Sequence, residues 1–271
     1  MIPNILSIAG SDPSGGAGIQ ADIKAISANG GYAMAAITAL TAQNTQAVTG
    51  VTLTEPGMVI RQIAAIRDDI RIDAVKIGML GSAAIVEAVA DALEGLAAPI
   101  VLDPVMVAKG GDRLLEPAAV AALRDRLVPM ATVLTPNLPE AADLLDAVEA
   151  TDWPEMAAQA AALRAMGPAA VLLKGGHLAG PDSPDLLMTD DGAQRLDAPR
   201  HATRNTHGTG CTLSSALAAQ LGHGHVVPEA ARRAKAYIAA SIAAADTLTV
   251  GSGHGPVHHF HAMPVPKETT P

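Results

Sequence analysis

Short apolar runs alternate along the chain with longer alanine-rich segments whose apolar residues recur at helical spacing. This pattern predicts a regular succession of strands and helices. The predicted strands lie near residues 4–9, 33–38, 73–77, 99–102, 131–134 and 170–173. The predicted helices lie near residues 16–29, 56–69, 82–95, 117–127, 138–146, 153–166, 209–221 and 228–248.

The predicted strands are apolar on both faces, as in ILSIA and AVLLK. Strands of this kind form parallel sheets that helices cover on both sides, so we expect a doubly wound α/β fold. Between residues 174 and 206 the pattern breaks into Gly, Pro and Asp with short extended pieces, which predict a hairpin outside the main sheet. No change in composition marks a linker, so we expect a single domain over residues 1–271.

Charge and composition exclude several classes of partner. The formal net charge is −9 and no run of Lys and Arg occurs, which argues against binding to nucleic acid or anionic membranes. No stretch approaches 18 consecutive apolar residues, so a membrane protein is not expected. Cys211 is the single cysteine, and the start MIPNILSIAGSD lacks a basic region and a continuous apolar segment, which together favour the cytoplasm.

The residues that follow the predicted strands carry the candidate chemistry. Open α/β sheets bind ligands beyond the carboxyl ends of their strands. The segments found there are GSDPSGGAG, GMLGS, DPVMVAKGGD, TPNLPE and KGGH. Loops that only reverse the chain would not need so much Gly, Asp, Lys and Asn, so we expect the functional site at this edge.

The strongest motif is NTHGTGCT at residues 205–212, directly before an apolar helix. Gly208 and Gly210 permit a close approach of the backbone, and the first-turn N–H groups then form a site for a phosphate or a transferring phosphoryl group. The alternative is that Thr209 simply caps a helix. Cys211 lies in this first turn, where the pKa of a thiol falls below ~8.5, so it is either a base or nucleophile or an inert buried residue.

Three further side chains complete the candidate site. Lys174 ends a strand and precedes two glycines, where it would neutralise phosphates unless it is merely solvated. Asp103 ends another strand and Glu140 opens a helix, so their oxygens are placed to hold Mg²⁺, although each also fits a local capping role. Magnesium, a lysine and an amide cradle are the parts that phosphoryl transfer needs.

Two other patterns point elsewhere. GAGIQA at residues 16–21 fits the dinucleotide fingerprint of an NAD-dependent oxidoreductase, but SDPSG separates it from the strand and Gln43 stands where a ribose-binding acid is expected. A Gly-rich loop that only packs a helix on the sheet also explains it, and no Walker A motif occurs. The tail histidines at 258, 259 and 261 have no acidic or Cys partner at ligand spacing, so we expect packing rather than metal binding.

Seven blocks in this order resemble the hydroxymethylpyrimidine/phosphomethylpyrimidine kinases of thiamin biosynthesis, and the similarity runs from about residue 4 to 261. The blocks are AGSDPSGGAGIQADIKA, ITALTAQNT, KIGMLGS, VLDPVMVAKGGD, LTPNLPEAADLL, KGGH and NTHGTGCT. The resemblance implies a ribokinase-like three-layer αβα sandwich, with a mostly parallel central sheet, helices on both faces and a small β flap around residues 32–53. It also implies a homodimer.

The implied reaction is the ATP-dependent phosphorylation of 4-amino-5-hydroxymethyl-2-methylpyrimidine, followed by phosphorylation of the monophosphate to the diphosphate. By resemblance, the pyrimidine pocket falls on Gly10, Asp22, Gln43, Met79 and Val105. The catalytic anion hole falls on Gly208, Thr209, Gly210 and Cys211. The ATP phosphate site falls on Lys174, Thr206, Thr209 and Asn137. The Mg²⁺ neighbourhood falls on Asp103, Asn137 and Glu140.

Cys211 stands where ribokinase-like sugar kinases carry a catalytic Asp, and the hypothesis is that it takes the proton from the hydroxymethyl group. A pyridoxal kinase is the alternative within the fold, because both substrates carry a hydroxymethyl group on a ring. A binding module without catalysis is the other alternative, although it would not need a lysine, acids and an anion cradle together.

Overall fold

The computed structural model describes residues 1–106 and 116–263, which form a central sheet with helices on both faces. The strands are β1 (Asn4–Ala9), β2 (Tyr32–Ile37), β3 (Ala39–Gln43), β4 (Val48–Leu53), β5 (Ala74–Ile77), β6 (Ile100–Leu102), β7 (Val133–Leu134), β8 (Ala170–Lys174), β9 (Asp185–Thr189) and β10 (Gly192–Leu196). The helices are α1 (Gly18–Ala28), α2 (Pro56–Arg67), α3 (Ala83–Leu93), α4 (Pro117–Ala122), α5 (Leu138–Leu145), α6 (Trp153–Arg164), α7 (Thr209–Gly222) and α8 (Val227–Ala243).

The main sheet has eight strands in the order β10-β9-β8-β7-β6-β5-β1-β2. The six strands from β8 to β2 are parallel to their neighbours, and they are the six strands that the apolar runs predict. The expectation of a mostly parallel central sheet is therefore confirmed.

Two apolar cores lie on opposite faces of this sheet. On one face α1, α7 and α8 contribute Ile26, Leu217 and Ala234 to a cluster with the inward side chains of the strands. On the other face α2 to α6 contribute residues such as Ile63 and Val89 to a larger cluster. The three-layer arrangement expected from the sequence is confirmed.

The hairpin between residues 174 and 206 is part of the main sheet, so the prediction that it lies outside was wrong. β9 pairs antiparallel with β8, and β10 continues that edge. The reason is that Leu186 and Leu187 point to opposite faces of the sheet and are both fully buried. A strand that buries both faces extends the core, which the surrounding Gly, Pro and Asp residues concealed.

The flap is a two-stranded antiparallel sheet made of β3 and β4. The predicted segment 32–53 is thus divided, because β2 joins the edge of the main sheet. Thr41 pairs with Val51, and these two share one face of the flap with Gln43, because side chains alternate along a strand. Thr41, Val51 and Gln43 all line the cavity described below.

Other segments follow the predicted pattern with local differences. The predicted helix 117–127 consists of α4 followed by a π-helical turn at Leu123–Leu127, and the predicted helix 228–248 ends with a 3₁₀ turn at Ala245–Thr247. Within DPVMVAKGGD, residues 107–112 lie outside the described part of the chain. No helix in the described ranges has both the length and the apolar character needed to cross a membrane.

Candidate active site

A cavity of about 950 Å³ opens at the carboxyl edge of the sheet. It lies where the strand order reverses, since β1 has β2 on one side and β5 on the other, and such reversals are the usual ligand sites of open α/β sheets. The cavity brings together twelve of the predicted site residues: Gly10, Gln43, Met79, Asp103, Val105, Asn137, Glu140, Lys174, Thr206, Gly208, Thr209 and Gly210. Cys211 also lines it, whereas Asp22 does not.

The first turn of α7 forms the floor of the predicted anion site. Gly208 precedes the helix with a left-handed backbone (φ 74°), and no side chain caps this end of the helix. A Cβ atom at Gly208 would overlap the carbonyl oxygen of Gly16, so only glycine permits the loop after β1 to lie against this turn. The N–H of Thr209 donates to the Thr206 carbonyl at 3.4 Å, whereas those of Gly210 and Cys211 are left for an anionic ligand, which the positive end of the helix favours.

Lys174 lies at the same edge within an ion pair. Its Nζ donates to Asp103 Oδ1 at 2.8 Å, and Glu140 Oε2 is 3.8 Å from Nζ. A Cβ at Gly210 would lie 3.2 Å from this ammonium group, so Lys174 directly adjoins the anion site. Burial alone would raise the pKa of Asp103, but Lys174 and Lys76 hold it below its usual value.

Glu140 is held by a reciprocal capping box at the start of α5. Its Oε2 accepts from the backbone N–H of Asn137 at 2.8 Å, and Asn137 Oδ1 accepts from the N–H of Glu140 at 2.8 Å. Burial raises the pKa of Glu140 to about 7, against the opposing effect of Lys174. The local capping role considered from the sequence is thus present, and the carboxylate also faces the cavity.

Cys211 lines the cavity as a protonated thiol. The sequence predicted a lowered pKa at a helix start, but burial raises it to about 11, and Lys76 offsets only part of that effect. The expected pKa direction was wrong because desolvation of the thiolate outweighs the helix end. The backbone N–H of Gly18 bonds to this side chain and fixes its position.

The predicted pyrimidine pocket occupies the opposite half of the cavity. The N–H of Gly10 donates to the Met79 carbonyl at 3.2 Å, and a Cβ at Gly10 would lie 2.6 Å from Met79 Cε. Gln43 reaches in from the flap, where its Oε1 accepts from Thr41 Oγ1 at 3.3 Å. Aliphatic and thioether groups with one amide suit a polar heterocycle. The shortage of aromatic residues predicts this kind of pocket, because a ring cannot be held by aromatic stacking.

Asp22 lies beneath the cavity, with a fully buried side chain. Its carboxylate oxygens accept from Lys76 Nζ at 2.9 Å and from the hydroxyls of Ser7 at 2.6 Å and Ser215 at 2.7 Å. Direct contact with the pyrimidine, which the resemblance implies, therefore stays a prediction. Lys76 was not identified from the sequence because it stands within the apolar run DAVKI.

Asp12 and His207 form a second buried polar pair that sequence reasoning did not select. His207 Nε2 lies 2.8 Å from Asp12 Oδ2, which also accepts from the N–H of Ala17. Gln43 Nε2 lies 3.5 Å from the same ring nitrogen. The pair joins the loop after β1, the loop before α7 and the flap. Both residues stand in the Gly-rich motifs, which was the available signal.

The tail histidines pack against the helices, as the sequence analysis expected. His259 Nε2 lies 3.0 Å from Thr212 Oγ1, next to the anion turn. Tyr237 donates its hydroxyl to the His259 carbonyl at 2.8 Å, and His261 Nδ1 lies 3.2 Å from Ser241 Oγ. The tail therefore supports the first turn of α7 from outside the cavity.

An anion turn flanked by lysine–aspartate pairs, beside a pocket for a small ring, defines a small-molecule phosphotransferase of the ribokinase-like fold. The family model described as "Phosphomethylpyrimidine kinase" matches residues 12–258. The chain belongs to that family, which confirms the resemblance found in the sequence.

Known proteins resemble the chain over almost its whole length. A hydroxymethylpyrimidine/phosphomethylpyrimidine kinase of Salmonella typhimurium is 56% identical over 260 residues, covering 96% of this chain and 98% of its own length. A pyridoxal kinase of Bacillus subtilis, solved as an ADP complex, has a TM-score of 0.88 at 35% identity and covers 97% of this chain and 99% of its own. A phosphomethylpyrimidine kinase structure from Clostridium difficile has a TM-score of 0.78 at 39% identity and covers 87% and 97%.

Proposed function

We propose that this chain is a single-domain cytoplasmic kinase of thiamin biosynthesis. It phosphorylates 4-amino-5-hydroxymethyl-2-methylpyrimidine with ATP and then phosphorylates the monophosphate to the diphosphate. The observation that carries the proposal is the 56% identity over nearly the full chain to a kinase named for both reactions. The test is to measure ADP formation with each acceptor in turn. Turnover of the alcohol and of the monophosphate is expected, and absence of both contradicts the proposal.

The cavity residues supply the parts of this reaction. Gln43, Met79 and Val105 hold the ring, with Gln43 offering both a donor and an acceptor to the aminopyrimidine edge. The acceptor oxygen bonds to the γ-phosphorus of ATP while the bond to the β,γ-bridging oxygen breaks, and ADP leaves with the electron pair. When the acceptor is the alcohol, its hydroxyl proton passes to an oxygen of the transferred phosphoryl group. The amides at the start of α7 stabilise the charge on the transferring group, and Lys174 neutralises the phosphates.

Mg²⁺ fits the acidic pair beside the anion turn, where a Cβ at Gly210 would lie 3.5 Å from Asp103 Oδ2. Asp103 and Glu140 provide carboxylate oxygens, the donors that this ion prefers. Among residues 1–106 and 116–263 no group of three or more His, Cys, Asp and Glu is arranged to hold a metal ion, so the pair suits an ion held by one or two carboxylates, waters and ATP phosphates. Such an ion would supply positive charge to the β- and γ-phosphates.

A substitution at Glu140 tests the magnesium assignment. Glu140→Gln should raise the Mg²⁺ concentration that gives half-maximal rate, because one of the two carboxylate charges is lost. Glu155→Gln is the matched control, since Glu155 is also a first-turn acid but lies on α6, outside the cavity. An unaltered magnesium dependence in Glu140→Gln would leave Glu140 with its capping role alone.

Pyridoxal phosphorylation is the second candidate function. It is favoured by the pyridoxal kinase of Bacillus subtilis, whose TM-score of 0.88 exceeds that of the phosphomethylpyrimidine kinase structure. The sequence identity to the pyrimidine kinase is higher, so we expect pyridoxal to be the poorer substrate. The comparison of kcat/KM for pyridoxal and hydroxymethylpyrimidine decides between them. A ratio in favour of pyridoxal would reverse the assignment.

A further inference from the structure

Two buried lysines flank the anion turn of α7, and the function described so far uses only one of them. Lys174 adjoins Gly210 from the side of Asp103. Lys76 stands near the end of β5, lines the cavity and interacts electrostatically with Cys211 and with Asp103. Each lysine is paired with one buried aspartate, Asp103 for Lys174 and Asp22 for Lys76.

The Lys76 ammonium group has an N–H to spare. It carries three N–H bonds, and the two oxygens of Asp22, both at 2.9 Å from Nζ, accept at most two of them. No other hydrogen bond from Nζ reaches a residue within the described part of the chain. The side chain is fully buried, where an unused donor is costly. Asp22 does not need the third N–H, because Ser7 and Ser215 complete its shell.

The lysine is held as a cation in a fixed position. Burial alone would lower the pKa of Lys76, but Asp22 raises it above its usual value, so the group stays charged. Gly78 leaves the space beside Nζ clear, since a Cβ there would lie 2.7 Å from it. A buried ion pair is weak evidence for stability, because well-packed apolar residues often replace one without loss. A ligand that accepts the third N–H would explain why the buried Lys76–Asp22 pair is present.

The two phosphoryl acceptors of the proposed function, the alcohol and its monophosphate, differ in the charge of the group that reacts. The hydroxymethyl group is neutral, whereas a phosphate monoester carries about −1.5 to −2 charges at pH 7 and must approach the phosphates of ATP. Lys174 already faces Asp103 and Glu140, on the side assigned to ATP and Mg²⁺. Lys76 Nζ lies beside Gly78, the residue before Met79 of the predicted pyrimidine pocket.

We propose that Lys76, through its third N–H, binds the phosphate of the pyrimidine monophosphate when that phosphate is the acceptor of the second transfer. This inference rests on the proposed function. In that transfer an oxygen of the monophosphate forms the new bond to the γ-phosphorus, the bond to the β,γ-bridging oxygen breaks, and ADP leaves with the electron pair. The dianionic acceptor has no proton to lose, so the step needs a cation more than a base.

The test compares kcat/KM for the monophosphate with kcat/KM for the alcohol. The double variant Lys76→Met/Asp22→Asn removes the charge without leaving Asp22 unpaired. We expect the monophosphate to lose about 10- to 100-fold more than the alcohol, the effect of one hydrogen bond to a charged group. Gly78→Ala, whose methyl group would displace Nζ, should shift the ratio in the same direction and decides the matter if the double variant does not fold.

Two controls identify the cause of a change. Lys235→Met/Asp185→Asn removes another buried lysine–aspartate pair, joined at 2.8 Å, which does not line the cavity. It should change both rates by the same factor. The second control, Asp22→Asn alone, removes the carboxylate that keeps the buried Lys76 charged, so it should shift the ratio in the same direction as the double variant.

The outcomes separate the two proposals. The unmodified chain is measured first, and failure to use the monophosphate contradicts both the second reaction and the role of Lys76. Turnover of both acceptors, with equal losses in the Lys76 and Gly78 variants, overturns the Lys76 proposal alone. A selective loss with the monophosphate, accompanied by weaker binding of that compound in calorimetry without ATP, supports it.

Discussion

Cys211 stands where the resemblance implies a catalytic base, yet its surroundings keep it protonated. With a pKa of about 11, only about one thiol in ten thousand is ionised at pH 7. A loose phosphoryl-transfer transition state makes little demand for early deprotonation, and Cys211→Ala keeps the backbone N–H of the anion turn. We therefore expect Cys211→Ala to lower kcat by less than ~10-fold, where a positioned base is typically worth ~10²–10⁴.

The same pKa predicts slow alkylation of the protein by iodoacetamide at pH 7. Steady-state kinetics of Cys211→Ala with the alcohol acceptor, over a range of pH, give the decisive measurement. A loss of 100-fold or more would restore the hypothesis that the thiol takes the proton.

Gln43 lines the cavity, and we propose that its amide recognises the pyrimidine ring. Gln43→Ala leaves polar atoms of a bound heterocycle unpaired, which costs about 1–3 kcal/mol, so KM for the pyrimidine should rise about 5- to 150-fold with little change in KM for ATP. Gln46→Ala is the matched control, because Gln46 lies on the same flap but is exposed and bonds to Ser252. Unchanged kinetics for Gln43→Ala would remove this residue from the site.

Residues that stand in glycine-rich motifs could be predicted from the sequence, whereas buried charges inside strands could not. Lys174 and Asp103 were found because they stand at the ends of apolar strands, and Gly208 because its motif directly precedes an apolar helix. Lys76 was missed because a single lysine does not break the apolar run DAVKI, and its charge is balanced by Asp22, 54 residues away in the sequence. A local sequence pattern gives no information about an ion pair between residues so far apart.

The segment that follows α8 acts as a strap between the flap and the anion turn. The His254 N–H donates to the Thr45 carbonyl at the tip of the flap, and the His207 N–H donates to the Gly255 carbonyl, both within 3.0 Å. His259 then packs under Thr212. The sequence predicted that the tail histidines pack but not that this segment links the flap to the anion turn, because its contacts join parts of the chain far apart in sequence.

His259 gives this strap a pH-dependent stability. Burial lowers its pKa from 6.5 to about 4, because the charged form is desolvated. Between these values the unfolded chain binds a proton that the folded chain excludes, so stability is complete above pH 6.5 and falls as the pH drops towards 4. The expected loss attributable to His259 is about 3 kcal/mol of the free energy of unfolding.

Urea unfolding at several pH values between 4 and 7.5 measures this effect. His259→Gln, which retains an acceptor for Thr212, should flatten the dependence, and the difference from the unmodified chain isolates His259 from other titrating groups. Equal slopes for the unmodified chain and His259→Gln would contradict the assignment.

The sequence predicted which segments form strands and helices better than it predicted where those segments lie in the fold. The apolar strands and the alternating pattern determine a three-layer fold, since a parallel sheet needs helices on both faces. The position of β9 and β10 was not predictable in this way, because a hairpin rich in Gly and Pro joins a sheet only where a neighbouring edge such as β8 accepts it. Whether the hairpin joins the sheet therefore depends on contacts that exist only in the folded molecule.

At the scale of the whole molecule, the cavity takes its walls from both halves of the sheet and from the flap. An isolated two-stranded sheet is marginally stable by itself, and the flap is separate from the main sheet. Large apolar side chains are also exposed on the outer face of the flap and at the start of α2, namely Leu40 at 57% and Met58 at 44%. Val51 and Leu53 are exposed as well, but they stand on the face of the flap that carries Thr41 and Gln43. Such a patch is typical of a surface that a partner covers.

The homodimer expected from the resemblance would cover this patch with a second copy of the flap. Leu40 is the residue to change, because it lies on the face of the flap opposite Thr41 and Gln43, away from the cavity. Leu40→Glu should place charges in the interface and halve the mass measured by light scattering. Val148→Glu is the control, since Val148 is 86% exposed between α5 and α6, outside the patch. A monomeric unmodified chain at micromolar concentration, or a Leu40→Glu variant of unaltered mass, would place the dimer elsewhere or exclude it.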